Sequence, residues 1–314
     1  MSLDARSARL LARANRALGV HQVGDAVAKI RAIVGPAFIP ASEPAAQAAW
    51  DTLRNGDAPS ADDLAALELV IRLLRPAPLS RGGQLDDLPD QQGHNLYPQD
   101  LKDAWAAFRP RVRPLLASIG LVKLSDGTHV GTGFIVGDGV LATNRHVLGD
   151  LTFGTEVLRE GRAQAVFQRE AGSSDDPSNV VAITGVVDVA PTADIALLSI
   201  PKLGRPAVQL DVDPPAEGLR VAVIGYPAKD ESRNPLFADA VFGGRYGVRR
   251  AAIGEVLDGA VTPHFYHDCS TLGGNSGSPV FSLETGRVVG IHRSGFFMYR
   301  NEAVDGATLD RSLT

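Results

Sequence analysis

The hydrophobic period of the chain changes about a quarter of the way along its 314 residues. Between Asp4 and Leu18, the residues Leu10, Leu11, Ala14 and Leu18 share one helical face, and Gly19 stands where a helix would stop. Val23, Val27, Ile30 and Val34 repeat that spacing before Gly35-Pro36. An Ala-rich third segment runs from Glu43 to Arg54 and closes on Asn55-Gly56. The fourth segment carries the fullest set of signals. Ser60 caps it, Asp62 and Asp63 complement the positive end of its dipole, Leu64, Leu67, Ile71 and Leu74 form the apolar stripe, and Arg75-Pro76 ends it. Four amphipathic helices with short connections predict a small bundle over residues 1–78.

Residues 76 to 98 are rich in Pro, Gly, Asp and Gln, which predicts a linker, and a short helix follows from about Asp100 to Phe108; together they occupy residues 79–111. From about Val112 the period shortens. Apolar runs such as GTGFIVGDGVLAT, NVVAITGVVDV, IALLSI, RVAVIGY, GSPVFS and GRVVGIH alternate with Gly and Asp turns. Short strands so punctuated predict an antiparallel barrel or sandwich over residues 112–314. The expected class is therefore α+β and multidomain, helices first and β-sheet after.

Hydrophobic residues make up 44% and charged residues 21%, which excludes general disorder. A net charge of -5 supplies no basic field for nucleic acid or an anionic membrane, and no run of 18 apolar residues spans a bilayer. Cys269 is the single cysteine, so no internal disulfide forms. The first twenty residues mix Arg and Asp with apolar positions, unlike a secretory signal. These features predict a cytoplasmic protein.

Three segments carry candidate chemistry. GTGFIVGDGVLATNRHV places His146 just after a strand, TADIALLSI places Asp194 just before one, and STLGGNSGSPV surrounds Ser276 with glycines. A serine hydroxyl needs an imidazole to remove its proton, and the imidazole needs a carboxylate to fix its tautomer. Glycines beside the serine allow positive φ, so that the amides of Gly274 and Ser276 can converge on an oxyanion.

In content and in the order His, Asp, Ser, these motifs resemble chymotrypsin-like serine proteases, most closely the bacterial glutamyl-endopeptidase and HtrA/Deg-type branch. TNRHV and GNSGSPV stand where that branch carries its histidine and serine motifs, and the resemblance covers about residues 112 to 310. It implies a chymotrypsin-like double antiparallel β-barrel, a catalytic set of His146, Asp194 and Ser276, and an oxyanion hole from Gly274 and Ser276. It also implies a protein or peptide substrate. A protease fold kept only as an interaction module is the alternative.

The resemblance further implies a primary pocket lined by Ser270, Thr271, Leu272 and the His292-Arg293-Ser294-Gly295 strand. Ser270 stands where basic-specific enzymes carry an acid, which argues against Lys or Arg preference. Thr271 and His292 resemble the pair that reads a substrate carboxylate in glutamyl endopeptidases, with Arg293 adding favourable charge. The other reading is that Gly-Ile-His simply closes a barrel strand. The helical bundle resembles adaptor domains fused to peptidases in bacterial defence systems. An inhibitory pro-segment and a self-association bundle are equally open.

His264 and His267 in HFYHDC lack the intervening Glu of a zinc-protease helix and are expected to be strand residues. Cys269 is expected to be a packed thiol and GGRYGVRR, residues 243–250, a solvated basic loop. No phosphate loop or metal-ligand cluster is evident, so no cofactor is expected.

Overall fold

The four apolar stripes at the N-terminus form α1 (Ala5–Leu18), α2 (Val23–Val34), α3 (Glu43–Arg54) and α4 (Ala61–Leu73). The computed structural model describes residues 5–18, 23–34, 43–88, 97–173, 176–229, 235–296 and 300–314, so the expected stops at Gly19 and Gly35-Pro36 lie outside the described residues. Ser60 is extended and its Oγ accepts the Asp63 N–H at 3.2 Å, which caps α4. Leu10, Ala14 and Leu18 of α1, Val23 and Val27 of α2, Trp50 and Leu53 of α3, and Leu67 and Ile71 of α4 are buried. Their apolar cluster does not close on itself; it continues into Phe108, Ala222, Ile253 and Phe281 of the rest of the chain.

The Pro- and Gly-rich stretch after α4 is pinned to protein. A tight hairpin joins β1 (Ser80–Arg81) and β2 (Gln84–Leu85) through Gly82 and Gly83, both at positive φ. Residues 76–80 run along a strand of the second sheet. Ile253 N–H donates to the Pro76 carbonyl at 2.9 Å, Ala251 N–H to Pro78 at 3.0 Å, and Ser80 N–H to Arg249 at 2.9 Å. Residues 89–96 of the expected linker lie outside the described residues. The helix α5 (Gln99–Val112) follows, longer than its sequence signal, because Trp105, Phe108 and Val112 all find buried positions.

The first sheet is built from β3 (Ile119–Leu124), β4 (His129–Gly137), β5 (Val140–Thr143), β6 (Ala163–Phe167), β7 (Val180–Ala182), β8 (Gly185–Val189) and β9 (Ala196–Ser199). Its order is β7-β6-β3-β4-β5-β9-β8, all antiparallel. A short helix, α6 (Arg145–Thr152), follows β5. The second sheet contains β10 (Arg220–Gly225), β11 (Arg250–Val261), β12 (His264–His267), β13 (Pro279–Ser282), β14 (Val288–Phe296) and β15 (Arg300–Asp305). It closes into a barrel in the order β10-β11-β12-β15-β14-β13. One curled sheet and one closed barrel make a chymotrypsin-like double-barrel architecture; the first half stays open because its edge strands, β7 and β8, do not pair with each other.

One expectation is corrected. Gly243 and Gly244 do form a turn, but Arg249 and Arg250 at the end of the basic stretch are buried. Arg249 bonds the Leu116 carbonyl at 2.6 Å, Ser80 Oγ at 3.2 Å and the Glu170 carboxylate. Arg250 bonds the Ala77 and Phe242 carbonyls, each at 2.8 Å. Each guanidinium is held by backbone carbonyls, and that of Arg250 also stands over the Phe242 ring, 5.0 Å from its centroid. Arg249→Met leaves Glu170 buried without its cation, and a loss of roughly 3–5 kcal/mol is expected. Urea denaturation checks this, and Arg249→Met with Glu170→Gln should recover part of the loss.

Candidate active site

His146 is the second residue of α6, held where β5 ends. Asn144, ahead of it, is extended and does not cap the helix with its side chain; its Nδ2 donates to the Asp194 carbonyl at 2.8 Å. Asp194, just before β9, receives the His146 backbone N–H on Oδ1 at 3.0 Å and meets His146 Nδ1 through Oδ2 at 2.8 Å. Burial alone would push the Asp194 carboxyl up. The hydrogen bond and charge of His146, with Arg293 behind them, outweigh it and hold the carboxyl below its ordinary range. Two contacts to one carboxylate fix the imidazole's orientation and direct Nε2 away from Asp194.

Ser276 lies on the loop that enters β13, with Gly274 and Gly277 both at φ +85°. Strand β4 of the other sheet holds this loop. Thr132 N–H donates to the Ser276 carbonyl at 2.8 Å and Thr132 Oγ1 to the Gly274 carbonyl at 2.7 Å, while Tyr226 N–H donates to Thr132 Oγ1 at 3.2 Å. A β-carbon on Gly277 would overlap the Thr132 carbonyl and the Thr143 hydroxyl, so only glycine fits there. Among the described residues, no internal acceptor takes the N–H of Gly274 or of Ser276. Ser276 Oγ donates to the Arg293 carbonyl at 3.2 Å.

His146, Asp194, Thr271, Ser276, His292 and Arg293 line one cleft of about 880 Å³, with Gly295 and Asn301 also in its lining. Ser270 is not part of that lining. No residue before Arg145 is either, so among the described residues the N-terminal helices leave the cleft uncovered. Thr271 Oγ1 donates to Asn301 Oδ1 at 2.9 Å, and Asn301 Nδ2 donates to the Cys269 carbonyl. Arg293 turns towards protein carboxylates, reaching Asp194 Oδ2 at 3.3 Å and Glu302 Oε1 at 3.1 Å.

His292 is nearly fully buried, with Nδ1 3.2 Å from Nε2 of the fully buried His267. Burial pushes His267 down to about 3, against the pull of Asp268, and burial plus His267 and His146 hold His292 well below its ordinary value. Both rings are neutral near pH 7. Putting the shared proton on His267 Nε2 leaves its partnerless Nδ1 as a bare lone pair instead of a stranded N–H. His292 then carries its own proton on Nε2. Cys269 is a fully buried thiol whose pKa burial raises, the packed role expected of it.

Sequence reasoning missed Thr132, His129 and Asn301. Thr132 sits inside the first motif, two residues into GTGF, where a hydroxyl among glycines was the available signal. His129 abuts the Ser276 loop: a β-carbon on Gly274 would stand 2.6 Å from its ring. Asn301 had no local signal. Among the described residues no group of three or more His, Cys, Asp or Glu is placed to hold a metal, and no helix is long and apolar enough to cross a membrane.

A family profile described as trypsin-like peptidase domain matches residues 131–291. The glutamyl endopeptidase of Staphylococcus aureus (strain MRSA252) is 27% identical over 192 residues, 58% of this chain and 48% of that protein. The protein of the same description from strain MW2 is 27% identical over 183 residues, 55% of this chain and 49% of that protein. The chain thus spans about half the length of the curated relatives it matches. Among solved structures, the serine endoprotease from Yersinia pestis is 18% identical with a TM-score of 0.47, covering 65% of this chain and 64% of that one. The Rv3671c protease from M. tuberculosis in its active form is 18% identical with a TM-score of 0.45, covering 65% and 82%.

The buried imidazoles make stability depend on pH. Burial lowers His129 to about 4 and His267 to about 3, whereas unfolded histidine titrates near 6.5. Above pH 6.5 neither state takes up a proton there. Below it the unfolded chain gains protons that the folded one does not, so stability falls by roughly 1.4 kcal/mol per pH unit for each group. Asp194 and Asp268, lowered below 3.8, add their loss only beneath about pH 4. A thermal-melting series from pH 7 to 4 should show a steady fall, with a shallower slope in His129→Gln.

Proposed function

Because the chain belongs to the trypsin-like peptidase domain family, we propose that it is a serine endopeptidase that cleaves a protein partner through an acyl-enzyme. The observation that carries this reading is the imidazole–carboxylate pair of His146 and Asp194 on the same cleft as Ser276, whose flanking glycines leave two amides uncommitted. In this reading the Ser276 hydroxyl leaves the Arg293 carbonyl, its acceptor in the free protein, for His146 Nε2. His146 accepts the hydroxyl proton as Oγ attacks the scissile carbonyl, and Asp194 stabilises the imidazolium. The amides of Gly274 and Ser276 bind the developing oxyanion. His146 then donates its proton to the leaving amine, the acyl-enzyme remains, and water attacks it by the same route in reverse.

The same reading extends to specificity. A neutral His292 with its proton on Nε2, beside the Thr271 hydroxyl, offers hydrogen bonds suited to a substrate carboxylate, so cleavage after Glu or Asp is favoured. The name of the curated relatives, glutamyl endopeptidase, agrees with that preference. Arg293 lines the same cleft and is held there by Asp194 and Glu302. The competing reading, a protease fold kept for binding, draws on the hydrogen bond that turns Ser276 towards Arg293.

A fluorophosphonate separates the two. It should label Ser276 in the wild type and leave Ser276→Ala unlabelled, and that variant should lose roughly 10⁴–10⁶-fold in turnover with its fold intact. Retained cleavage in Ser276→Ala overturns the assignment. On paired peptides, His292→Ala should lose cleavage after Glu selectively; an equal loss on every peptide counts against acidic specificity.

A further inference from the structure

Two carboxylates of the closed barrel, Glu255 on β11 and Asp268 just after β12, are buried to 1% exposure. A buried carboxylate persists as an ion only beside a cation and hydrogen-bond donors. Their cations come from the N-terminal helices. Arg75, directly after the end of α4, places Nε 3.0 Å and Nη2 2.6 Å from Asp268 Oδ2, and its Nη2 is also 2.8 Å from Glu255 Oε1. Arg16 of α1 reaches Glu255 Oε2 at 2.7 Å. Arg13 and Arg72 add positive charge around Asp268, and with Arg75 they hold its carboxyl below the ordinary range against the cost of burial. Among the described residues no cation of the barrel approaches either group.

Asp268 connects this cluster to the cleft. Its Oδ1 accepts the Glu255 N–H at 2.8 Å, in a niche that Gly254 leaves open: a β-carbon there would stand 2.6 Å from that oxygen. On one side its chain neighbour is His267, the partner of His292. On the other is Cys269, whose carbonyl holds Asn301, and Asn301 holds Thr271. The two side chains that read the substrate are therefore each one or two hydrogen bonds from the clamped residue.

We propose that Arg75 is a positioning residue for the primary specificity pocket, and that the N-terminal helices are a built-in part of that pocket's support and not a removable cover. The proposal rests on the reading of Thr271 and His292 as substrate-binding. It agrees with the open cleft, which no described residue of the helices lines. Without the helices, Asp268 and Glu255 face the barrel wall as uncompensated charges, and the 267–271 segment must move to reach water.

The test uses the full chain. Arg75→Met should lower the ratio of kcat/KM for a Glu peptide over its Gln counterpart roughly tenfold, a coupling of the size that one buried network carries, and chiefly through KM. Fluorophosphonate labelling of Ser276 should change little. Hydrogen exchange of amides 267–272 should speed up, with amides 131–146 unchanged. If Arg75→Met does not fold, the charge-neutral pair Arg75→Met with Asp268→Asn serves for the same measurements. A folded variant with wild-type selectivity and wild-type exchange at 267–272 overturns the proposal. A wild type that neither cleaves nor labels overturns the protease reading instead, and the exchange comparison then decides whether Arg75 fixes the segment.

Discussion

One backbone hydrogen bond fixes the geometry of the cleft: Thr132 N–H on strand β4 to the carbonyl of Ser276 on the opposite sheet, at 2.8 Å. His146 and Asp194 belong to the first sheet and Ser276 to the barrel, so they meet only if the two sheets keep this register. The contact is close enough to dictate composition. A β-carbon on Gly131 would lie 2.9 Å from the Ser276 carbonyl, and none fits at Gly277. Thr132 Oγ1 adds a second tie through the Gly274 carbonyl and accepts the Tyr226 N–H, so one residue, through its backbone and its side chain, holds the loop at Gly274 and at Ser276.

Two buried ion-pair networks follow the same logic of forced pairing. Arg249 with Glu170 and Ser80, and Arg75 with Asp268 and Glu255, each join an N-terminal segment to the barrel through buried charge. Such pairs add little net stability over well-packed apolar residues, but any other arrangement of the segments strands an ion. They specify where the segments sit. The apolar core that runs from α1 to Phe281 supplies the cohesion, and the ion pairs supply the register.

The division between sheets also separates the site's electrostatics. On the sheet side His146 stands partly exposed beside Asp194, whose carboxyl the His146 contacts and Arg293 hold below its ordinary range. On the barrel side His267 and His292 are so deeply buried that both stay neutral, which leaves them as hydrogen-bonding groups. The same residue type is solvent-accessible in one place and a buried neutral ring in the other, and burial makes the difference.

The local periodicities and the motifs around His146, Asp194 and Ser276 are legible in the chain because each depends on neighbours within a few positions. Helical stripes, the Ser60 cap and glycine-flanked turns are of this kind, and they placed α3 from Glu43 to Arg54 and α4 after Ser60. Asn301 and the Arg75–Asp268 clamp were invisible, since their partners lie 30 and 193 residues away, and Thr132, bonded 142 residues off, showed only as a hydroxyl among glycines. Composition likewise misled at residues 76–80 and 249–250, where Pro and Arg suggest solvent but the amides of Ala251 and Ile253 pair with the 76–80 backbone and backbone carbonyls hold the guanidinium groups inside. Sequence by itself determined which elements form and which side chains could do chemistry. Only the tertiary structure decided which polar groups must meet, because the penalty for burying one without a partner acts through space and leaves no periodic trace along the chain.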